Sequence, residues 1–230
     1  MRSSVIFLFI YLVVAIANTL SWVISSDFLH AISKPLIMPV LMAYVIQVAI
    51  ANKKFDTTDL LLLVSLLCYW GGDTVVMIDE SLSFIGALGM LLIGMIMSIY
   101  LFFIASDKLK LKPVLALPYL IYGAAFYLLL LPKLGSFAGA TTVFAIVMVA
   151  LPFVAHSRKG HASAESFQLV LLGSIALLVS NSIAGLDRFG VVTNMLTATG
   201  SIALYCAAHW LIVHGILIIP KKEDPDILKA

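Results

Sequence analysis

The sequence predicts an all-α, polytopic integral membrane protein, built as a single bundle of eight transmembrane helices with both termini in the cytoplasm. Of its 230 residues, 62% are hydrophobic and only 11% are charged, which exceeds what a water-soluble core needs. The apolar residues fall in long runs, and the lysines and arginines collect in alternate loops. Membrane β-strands would alternate apolar and polar residues over about ten positions, and the sequence lacks that alternation.

Eight runs are long enough to be membrane helices, which need about 20 apolar residues to cross a bilayer. The second and fifth runs are short, so their ends are the least sharply defined. The runs cover residues 5–24, 35–51, 58–78, 82–105, 113–131, 137–155, 166–186 and 193–219. Residues 1–219 are therefore expected to form one transmembrane domain, and residues 220–230 a short charged cytoplasmic tail.

The basic residues predict the orientation of the bundle, because cytoplasmic loops are enriched in lysine and arginine. Of 14 such residues, only Lys34, Lys133 and Arg188 fall on one side of the membrane. The net charge of +2 thus reflects topology and gives no indication of nucleic-acid binding. An even number of helices puts both termini on the other, cytoplasmic side, together with Arg2, Lys53, Lys54, Lys108, Lys110, Lys112, Arg158, Lys159, Lys221, Lys222 and Lys229.

The first run has a second interpretation as a cleavable signal peptide, because Arg2 precedes an apolar stretch that contains Ala15-Ile16-Ala17. Apolar residues continue through Trp22 and Ile24, which favours a membrane helix. Cys68 and Cys206 both lie within predicted helices. The chain therefore offers neither a disulfide framework nor a cysteine-rich metal site.

Asp73 is the carboxylate that lies deep inside a long apolar run, in the segment from Leu66 to Asp73. A charged residue at the middle of a membrane helix costs roughly 2.5 to 3.5 kcal/mol, so such a residue usually faces a cavity, a partner or a substrate. With the third helix running outward, Asp73 is expected about five residues, or roughly 7 Å, below its outer end. We therefore expect a functional cavity in the outer half of the bundle.

The second helix is expected to begin on the same outer side, at Lys34-Pro35, because proline suits a first helical turn. This places Lys34 at the outer rim. Met38 and Met42 follow at steps of four residues and form a flexible apolar face below the lysine. Ordinary packing is the favoured interpretation of both methionines.

The seventh helix carries a polar face, since Ser174, Asn181 and Arg188 recur every seven residues. Ser180 and Asp187 lie next to this face. Asn181 can equally form an interhelical hydrogen bond worth about 1 kcal/mol or be part of a functional site. Asp187 and Arg188 can equally form an ion pair in the following loop.

The eighth helix has a polar stripe at steps of three and four residues, which is more typical of a crevice wall than of a lipid-facing surface. His209 and His214 are five residues apart, which is wrong for two metal ligands on one helical face, so we predict no metal site. Polar residues of the first helix near the same outer end are Asn18, Ser21, Trp22 and Ser25. The stripe consists of Asn194, Thr197, Ser201, Tyr205 and His209.

Several short motifs, in this order and spacing, resemble those of the YhhN family over the second to eighth helices. They are Lys34-Pro35-Leu36, Gly72-Asp73, the block from Gly173 to Ala184 followed by Arg188-Phe189, and the block from Tyr205 to Val213. The resemblance implies an eight-helix membrane protein. It also implies lysoplasmalogenase activity, the hydrolysis of the vinyl ether bond of a lysolipid to a fatty aldehyde and a glycerophospho-alcohol.

The resemblance further implies that Asp73 is one member of an acidic catalytic pair, whose second member comes from the seventh helix. Here the chain departs from the family, because Asn181 follows Ser180 where family members usually have aspartate. Met97 stands where many have histidine, and His209 where glutamine is common. The catalytic residues are thus expected to be Asp73 and Asn181, with impaired activity because an amide cannot exchange a proton at useful pH.

Vinyl ether hydrolysis is acid-catalysed. Burial of Asp73 favours the protonated form that could supply the proton, whereas a nearby cation such as Lys34 opposes it, and the sequence does not decide between the two. Lys34 and Arg188 could hold the phosphate of a membrane lysophospholipid, and Ser180, Tyr205 and His209 complete the expected substrate-binding set. No cofactor is required. A non-catalytic lipid-binding or regulatory relative is the alternative, and a small proton-coupled transporter ranks last because inverted repeats are not visible. The expected location is the bacterial inner (plasma) membrane.

Overall fold

The computed structural model describes residues 2–77 and 82–218, and these residues form eight α-helices and no β-strand. Two short 3-10 turns, Pro113–Ala116 and Gly135–Phe137, precede α5 and α6. The tail at 220–230 and the predicted helix ends at 78 and 219 lie outside the described residues. The helices are α1 (Arg2–Val23), α2 (Asp27–Ala51), α3 (Thr57–Val75), α4 (Leu82–Ile104), α5 (Leu117–Leu134), α6 (Ala138–Ser157), α7 (Ala164–Arg188) and α8 (Met195–Leu217).

The length and composition of these helices support a multi-pass membrane protein. Within the described residues, six stretches are long and apolar enough to cross a membrane, and one of them, Pro113–Ser157, contains both α5 and α6. The helix α3 is not among the six, because Asp59, Asp73 and its threonines make it less apolar. Large apolar side chains such as Phe28, Val114 and Leu196 are exposed on the outside of the bundle, as expected of a surface covered by lipid.

Polar capping residues define where several helices begin. The Ser26 side chain accepts a hydrogen bond at the start of α2. Asp56 and Asp59 form a reciprocal capping box at the start of α3, and Asn194 and Thr197 form another at the start of α8. Each cap satisfies main-chain N–H groups that have no partner within the helix. The loops that enter α3 and α8 are therefore fixed by local hydrogen bonds.

Seven of the described helices form a closed ring. Going round it, the order of packed neighbours is α1, α2, α3, α4, α6, α7 and α8, and α8 contacts α1 again. The helix α5 lies outside this ring and packs mainly against α6. The interior is filled by buried apolar side chains from many helices, among them Leu41, Leu66, Phe102, Ala155 and Val170.

The closest pair in the ring is α7 and α8, which approach through Gly173. A Cβ at this position would lie 2.8 Å from the main-chain oxygen of Ala208 and 2.8 Å from a side-chain carbon of Ile212. Small residues at helix interfaces allow such close backbone contact, which replaces the hydrophobic driving force that is missing between helices in lipid. Gly173 therefore sets the spacing of the two helices that carry most of the polar residues.

The predicted start of α2 at Pro35 is wrong, since the helix begins at Asp27 and contains both Pro35 and Pro39. A proline has no N–H, so Pro39 leaves the carbonyl of Pro35 without its helical donor. The indole N–H of Trp70 in α3 donates to that carbonyl at 3.0 Å. Because this donor comes from another helix, the compensation is invisible in the local sequence. Lys34 consequently lies inside α2, about 10 Å from its first residue.

Two other expectations change with the observed helix ends. The helix α3 ends at Val75, so Asp73 lies in its last turn and not five residues below the end. Arg188 is the last residue of α7 and not part of a loop. The ends of α3 and α7 therefore lie within one turn of Asp73 and Arg188, respectively.

Arg158, expected in a cytoplasmic loop, is 0% exposed. Its Nε donates to Ser106 Oγ and its Nη2 to Ser166 Oγ, each at 3.0 Å. The guanidinium also lies 5.6 Å from the centre of the Phe102 ring. Burial lowers the pKa of Arg158 to about 10, which leaves it cationic at neutral pH. The residue acts as a link between α4 and α7.

Candidate functional site

A cavity of about 290 Å³ lies inside the ring at one end of the bundle. Six helices of the ring contribute to its wall, and α6 does not. Its base and sides include apolar groups from Ile37, Leu91 and Ile202. Its polar wall residues are Asn18, Trp22, His30, Lys34, Asp73, Ser180, Asn181, Asp187, Arg188, Thr197, Ser201 and Tyr205.

Asp73 reaches this cavity from the last turn of α3 and is held there by α8. The Tyr205 hydroxyl donates a hydrogen bond to Asp73 Oδ2 at 2.7 Å. The preceding Gly72 allows α3 to pack closely on α4, because a Cβ there would lie 2.8 Å from Leu91 Cγ and 3.1 Å from the Ala87 carbonyl oxygen. Asp73 thus lines a cavity, as the sequence predicts, and Tyr205 holds its carboxylate.

Lys34 enters the same cavity from α2, near the two prolines of that helix. Its positive charge interacts electrostatically with the carboxylate of Asp73. Arg188 enters from the end of α7, and its guanidinium carbon lies 4.9 Å from the centre of the Phe84 ring in α4. Two cations thus face one cavity, an arrangement suited to a phosphate group.

The polar face predicted on α7 lines the cavity through Ser180 and Asn181, while Ser174 lies elsewhere. The Ser174 hydroxyl is buried and donates to the Val170 carbonyl of its own helix. Ser180 Oγ donates to the Ser201 carbonyl at 2.8 Å, and Ser201 Oγ donates to the Ser180 carbonyl at 3.1 Å. This reciprocal pair joins α7 to α8 beside Asp73, so Ser180 contributes to the structure of the wall as well as lining it.

His209, expected to bind substrate, lies behind Tyr205 and is not part of the cavity wall. Its Nδ1 donates to the Tyr205 carbonyl at 2.9 Å, which leaves Nε2 as an acceptor. That nitrogen is buried and has no hydrogen-bond partner within the described chain. The ring packs edge-on against Tyr69, with 4.5 Å between the ring centres. His209 therefore supports Tyr205 from below and does not face the cavity.

His30 and Asp187 are among the wall residues that the sequence did not identify as site residues. His30 lines the cavity from α2 and packs edge-on against Trp22, with 5.2 Å between the rings. Asp187 lines it from the last turn of α7, where a loop ion pair was the alternative considered. The signal available for both was their position near the ends of the helices that carry Lys34 and Asn181.

Asn18 is a further polar group that faces this cavity from α1. It is 1% exposed, and its Oδ1 has no hydrogen-bond partner among the described residues. A buried amide oxygen without a partner costs about 1 to 3 kcal/mol. Asn18 Oδ1 is therefore placed to accept a hydrogen bond from a bound molecule or from water.

The fold and this cavity define a multi-pass helical membrane protein with an acid, two cations and several hydroxyl groups at one end of its bundle. The model of the YhhN family matches residues 29–216, so the chain belongs to the YhhN family. No curated protein and no solved structure matches the chain.

Proposed function

We propose that this protein is a lysoplasmalogenase-like hydrolase that cleaves the vinyl ether bond of a lysolipid in the membrane. The observation that carries the proposal is the carboxylate of Asp73, bound by Tyr205 at the wall of a cavity that also holds Lys34 and Arg188. Membership of the YhhN family agrees with this chemistry. The reaction needs a positioned acid, a place for a phosphate and access for an alkenyl chain.

The proposed topology has eight membrane helices, including the less apolar α3, and cytoplasmic termini. The helix α3 packs between α2 and α4 in the ring, so its polar residues need not face lipid. In this orientation the cavity opens in the outer half of the bilayer of a bacterial inner membrane. A lysolipid would place its phosphate beside the two cations and its chain between the helices.

The chemistry begins with a proton from Asp73 to the alkene carbon that is β to the ether oxygen. The resulting oxocarbenium ion is attacked by water, and a C–O bond forms to give a hemiacetal. Collapse of the hemiacetal breaks the bond to the glyceryl oxygen and releases a fatty aldehyde and a glycerophospho-alcohol. Tyr205 stabilises the carboxylate that Asp73 becomes after it has given up its proton.

The direct test is aldehyde release from a lysoplasmalogen by the purified protein in detergent or lipid nanodiscs. Wild-type protein should produce aldehyde, and Asp73→Asn should reduce the rate by at least about 100-fold, the usual contribution of a general acid. A lysolipid with an ester in place of the vinyl ether should give no aldehyde. Aldehyde release by the wild type that does not exceed that of Asp73→Asn would contradict the proposal.

The second candidate function is a non-catalytic lipid-binding relative, which the amide of Asn181 in the cavity wall favours. Such a protein would bind lysoplasmalogen without releasing aldehyde. Binding measured with a fluorescent lysolipid, combined with no turnover in either wild type or Asn181→Asp, would support it. Turnover by the wild type would eliminate it.

Lys34→Ala should weaken substrate binding more than turnover, because the lysine is expected to contact the phosphate and not the reacting carbon. Loss of a charge-assisted hydrogen bond of about 1.5 to 3 kcal/mol corresponds to a rise in KM of about tenfold or more. The measurement is a full kinetic curve, with Lys133→Ala, an exposed lysine outside the cavity, as the matched control. Equal losses in kcat and in affinity would instead indicate a structural role for Lys34.

A further inference from the structure

The proposed hydrolysis needs a base for water as well as an acid for the alkene. Asn181 cannot be that base, because a carboxamide does not accept a proton at useful pH. Of the described residues that line the cavity with Asp73, only Asp187 brings a second carboxylate. This shared wall is the starting point of the inference, which rests on the proposed function.

Asp187 is placed by the same helix that carries Asn181. Ser180, Ala184 and Asp187 follow at steps of four and three residues, so they share one face of α7, and all three line the cavity. Asp187 lies about 9 Å further along the helix axis than Asn181. Ala184, between them, adds only a methyl group to the wall. This chain thus has asparagine where the family usually has aspartate, but it carries a carboxylate about two turns further along α7.

The main chain of Asp187 is fixed while its carboxylate is available. Its carbonyl accepts hydrogen bonds from the N–H groups of Phe189 and Gly190, which end α7. No described residue makes a side-chain hydrogen bond or ion pair with the carboxylate itself. Lys34 and Arg188 line the same cavity. These surroundings leave the carboxylate of Asp187 in a polar part of the wall, where it can hold a water molecule.

The two carboxylates line one cavity that is large enough to hold water as well. A volume of about 290 Å³ has room for roughly ten waters at about 30 Å³ each. Hydrolases that pass through an oxocarbenium-like transition state with a base-activated water keep their two carboxyl groups about 6.5 to 9.5 Å apart. Asp73 and Asp187 thus line one cavity with enough volume for a water molecule between them.

We propose that Asp187 is the catalytic base of this protein and replaces the acid that is missing at position 181. Asp73 protonates the alkene carbon, and the Asp187 carboxylate takes one proton from the water whose oxygen bonds to the oxocarbenium carbon. The hemiacetal then returns its hydroxyl proton to Asp73, while Asp187 gives its proton to the departing glyceryl oxygen. Both carboxyl groups end in the states in which they began.

The test compares Asp187→Asn with Asp27→Asn, which removes an exposed carboxylate from the start of α2, outside the cavity wall. Asp187→Asn should lower kcat for aldehyde release by about 100-fold with little change in KM, whereas Asp27→Asn should keep wild-type kinetics. An unchanged kcat for Asp187→Asn, or a loss confined to KM, would overturn the inference.

A second variant separates the loss of a base from the loss of folding. Asn181→Asp combined with Asp187→Asn returns a carboxylate to the cavity at the neighbouring position and should regain at least about tenfold in kcat over Asp187→Asn alone. A double variant as slow as Asp187→Asn would overturn the inference. Failure of the proposed function is distinguishable, because it would appear as a wild-type protein that releases no aldehyde at all.

Discussion

Of the two oxygens of the Asp73 carboxylate, Oδ2 is the one with a hydrogen bond to a described residue, so the two oxygens would have different tasks in the proposed reaction. Oδ2 accepts the hydrogen bond of the Tyr205 hydroxyl at 2.7 Å. Protonation at Oδ1 preserves that bond and directs the acidic proton away from Tyr205. His209 takes no part in this hydrogen bond. It donates a hydrogen bond to the Tyr205 carbonyl from the next turn of α8. At this scale the site is one acid whose orientation depends on one tyrosine.

Tyr205→Phe tests that dependence. After proton transfer Asp73 is an anion, and a hydrogen bond to a charged group is worth about 1.5 to 3 kcal/mol. We therefore expect kcat for aldehyde release to fall by at least about tenfold. Tyr100→Phe is the control, because Tyr100 is exposed on α4 and does not line the cavity. A Tyr205→Phe enzyme with wild-type kcat would show that the hydrogen bond has no catalytic effect.

Residue periodicity in the sequence indicated which helix faces are polar but not how far the cavity extends. Thr197, Ser201 and Tyr205 line it, whereas His209 continues the same stripe and does not. The reason is that Tyr69 packs edge-on against His209 and fills the space at that level. Such a boundary depends on a side chain from another helix, so it could not be predicted from the spacing within α8.

At the scale of single helices, irregular positions determine how the wall is assembled. The helix α2 continues through Pro35 and Pro39 because Trp70 of α3 donates to a carbonyl that proline leaves unpaired. This bond joins α2 to α3 below Lys34 and Asp73. The predicted helix start at Pro35 failed for the same reason, since local sequence rules treat proline as a boundary.

Gly173→Ala should destabilise the protein, because its Cβ would lie 2.8 Å from the main chain of α8. Overpacking of this kind typically costs about 1 to 3 kcal/mol. The matched control is Gly89→Ala in α4, where nothing lies within 4 Å of the new Cβ and a gain of roughly 0.5 to 1 kcal/mol is expected from reduced backbone entropy. Thermal unfolding in one detergent should give a lower Tm for Gly173→Ala and an unchanged or higher Tm for Gly89→Ala. Equal values of Tm would contradict the close α7–α8 contact.

At the scale of the whole molecule, the closed ring explains why residues distant in sequence share one cavity. The helices α1 and α8 are neighbours in the ring, so Asn18 and Tyr205 lie on the same wall. The number of apolar runs, their order and the polar faces could be predicted from the sequence. The order of helices around the ring could not, because it depends on interfaces such as Gly173 against Ala208. For that reason the sequence showed only the positions of His30 and Asp187 on their helices and not that both reach one cavity.

The proposed topology predicts that the loop after α5 is outside and that the loop after α6 is inside. Lys133 and Lys159 are exposed residues of these two regions. In a background of Cys68→Ala and Cys206→Ala, a membrane-impermeant maleimide should label Lys133→Cys in intact cells. It should label Lys159→Cys only after the membrane has been opened. The reverse pattern would invert the orientation and place the cavity on the cytoplasmic side.

The origin of the proton on the product tests the central role of Asp73 most directly. Hydrolysis of a lysoplasmalogen in D2O, with immediate reduction of the aldehyde to prevent exchange, should give product with one deuterium on the carbon next to the former carbonyl. Asp73→Asn, at equal protein concentration, should give no labelled product above the level without enzyme. Product without that deuterium, or labelled product released as fast by Asp73→Asn as by the wild type, would contradict proton delivery by Asp73.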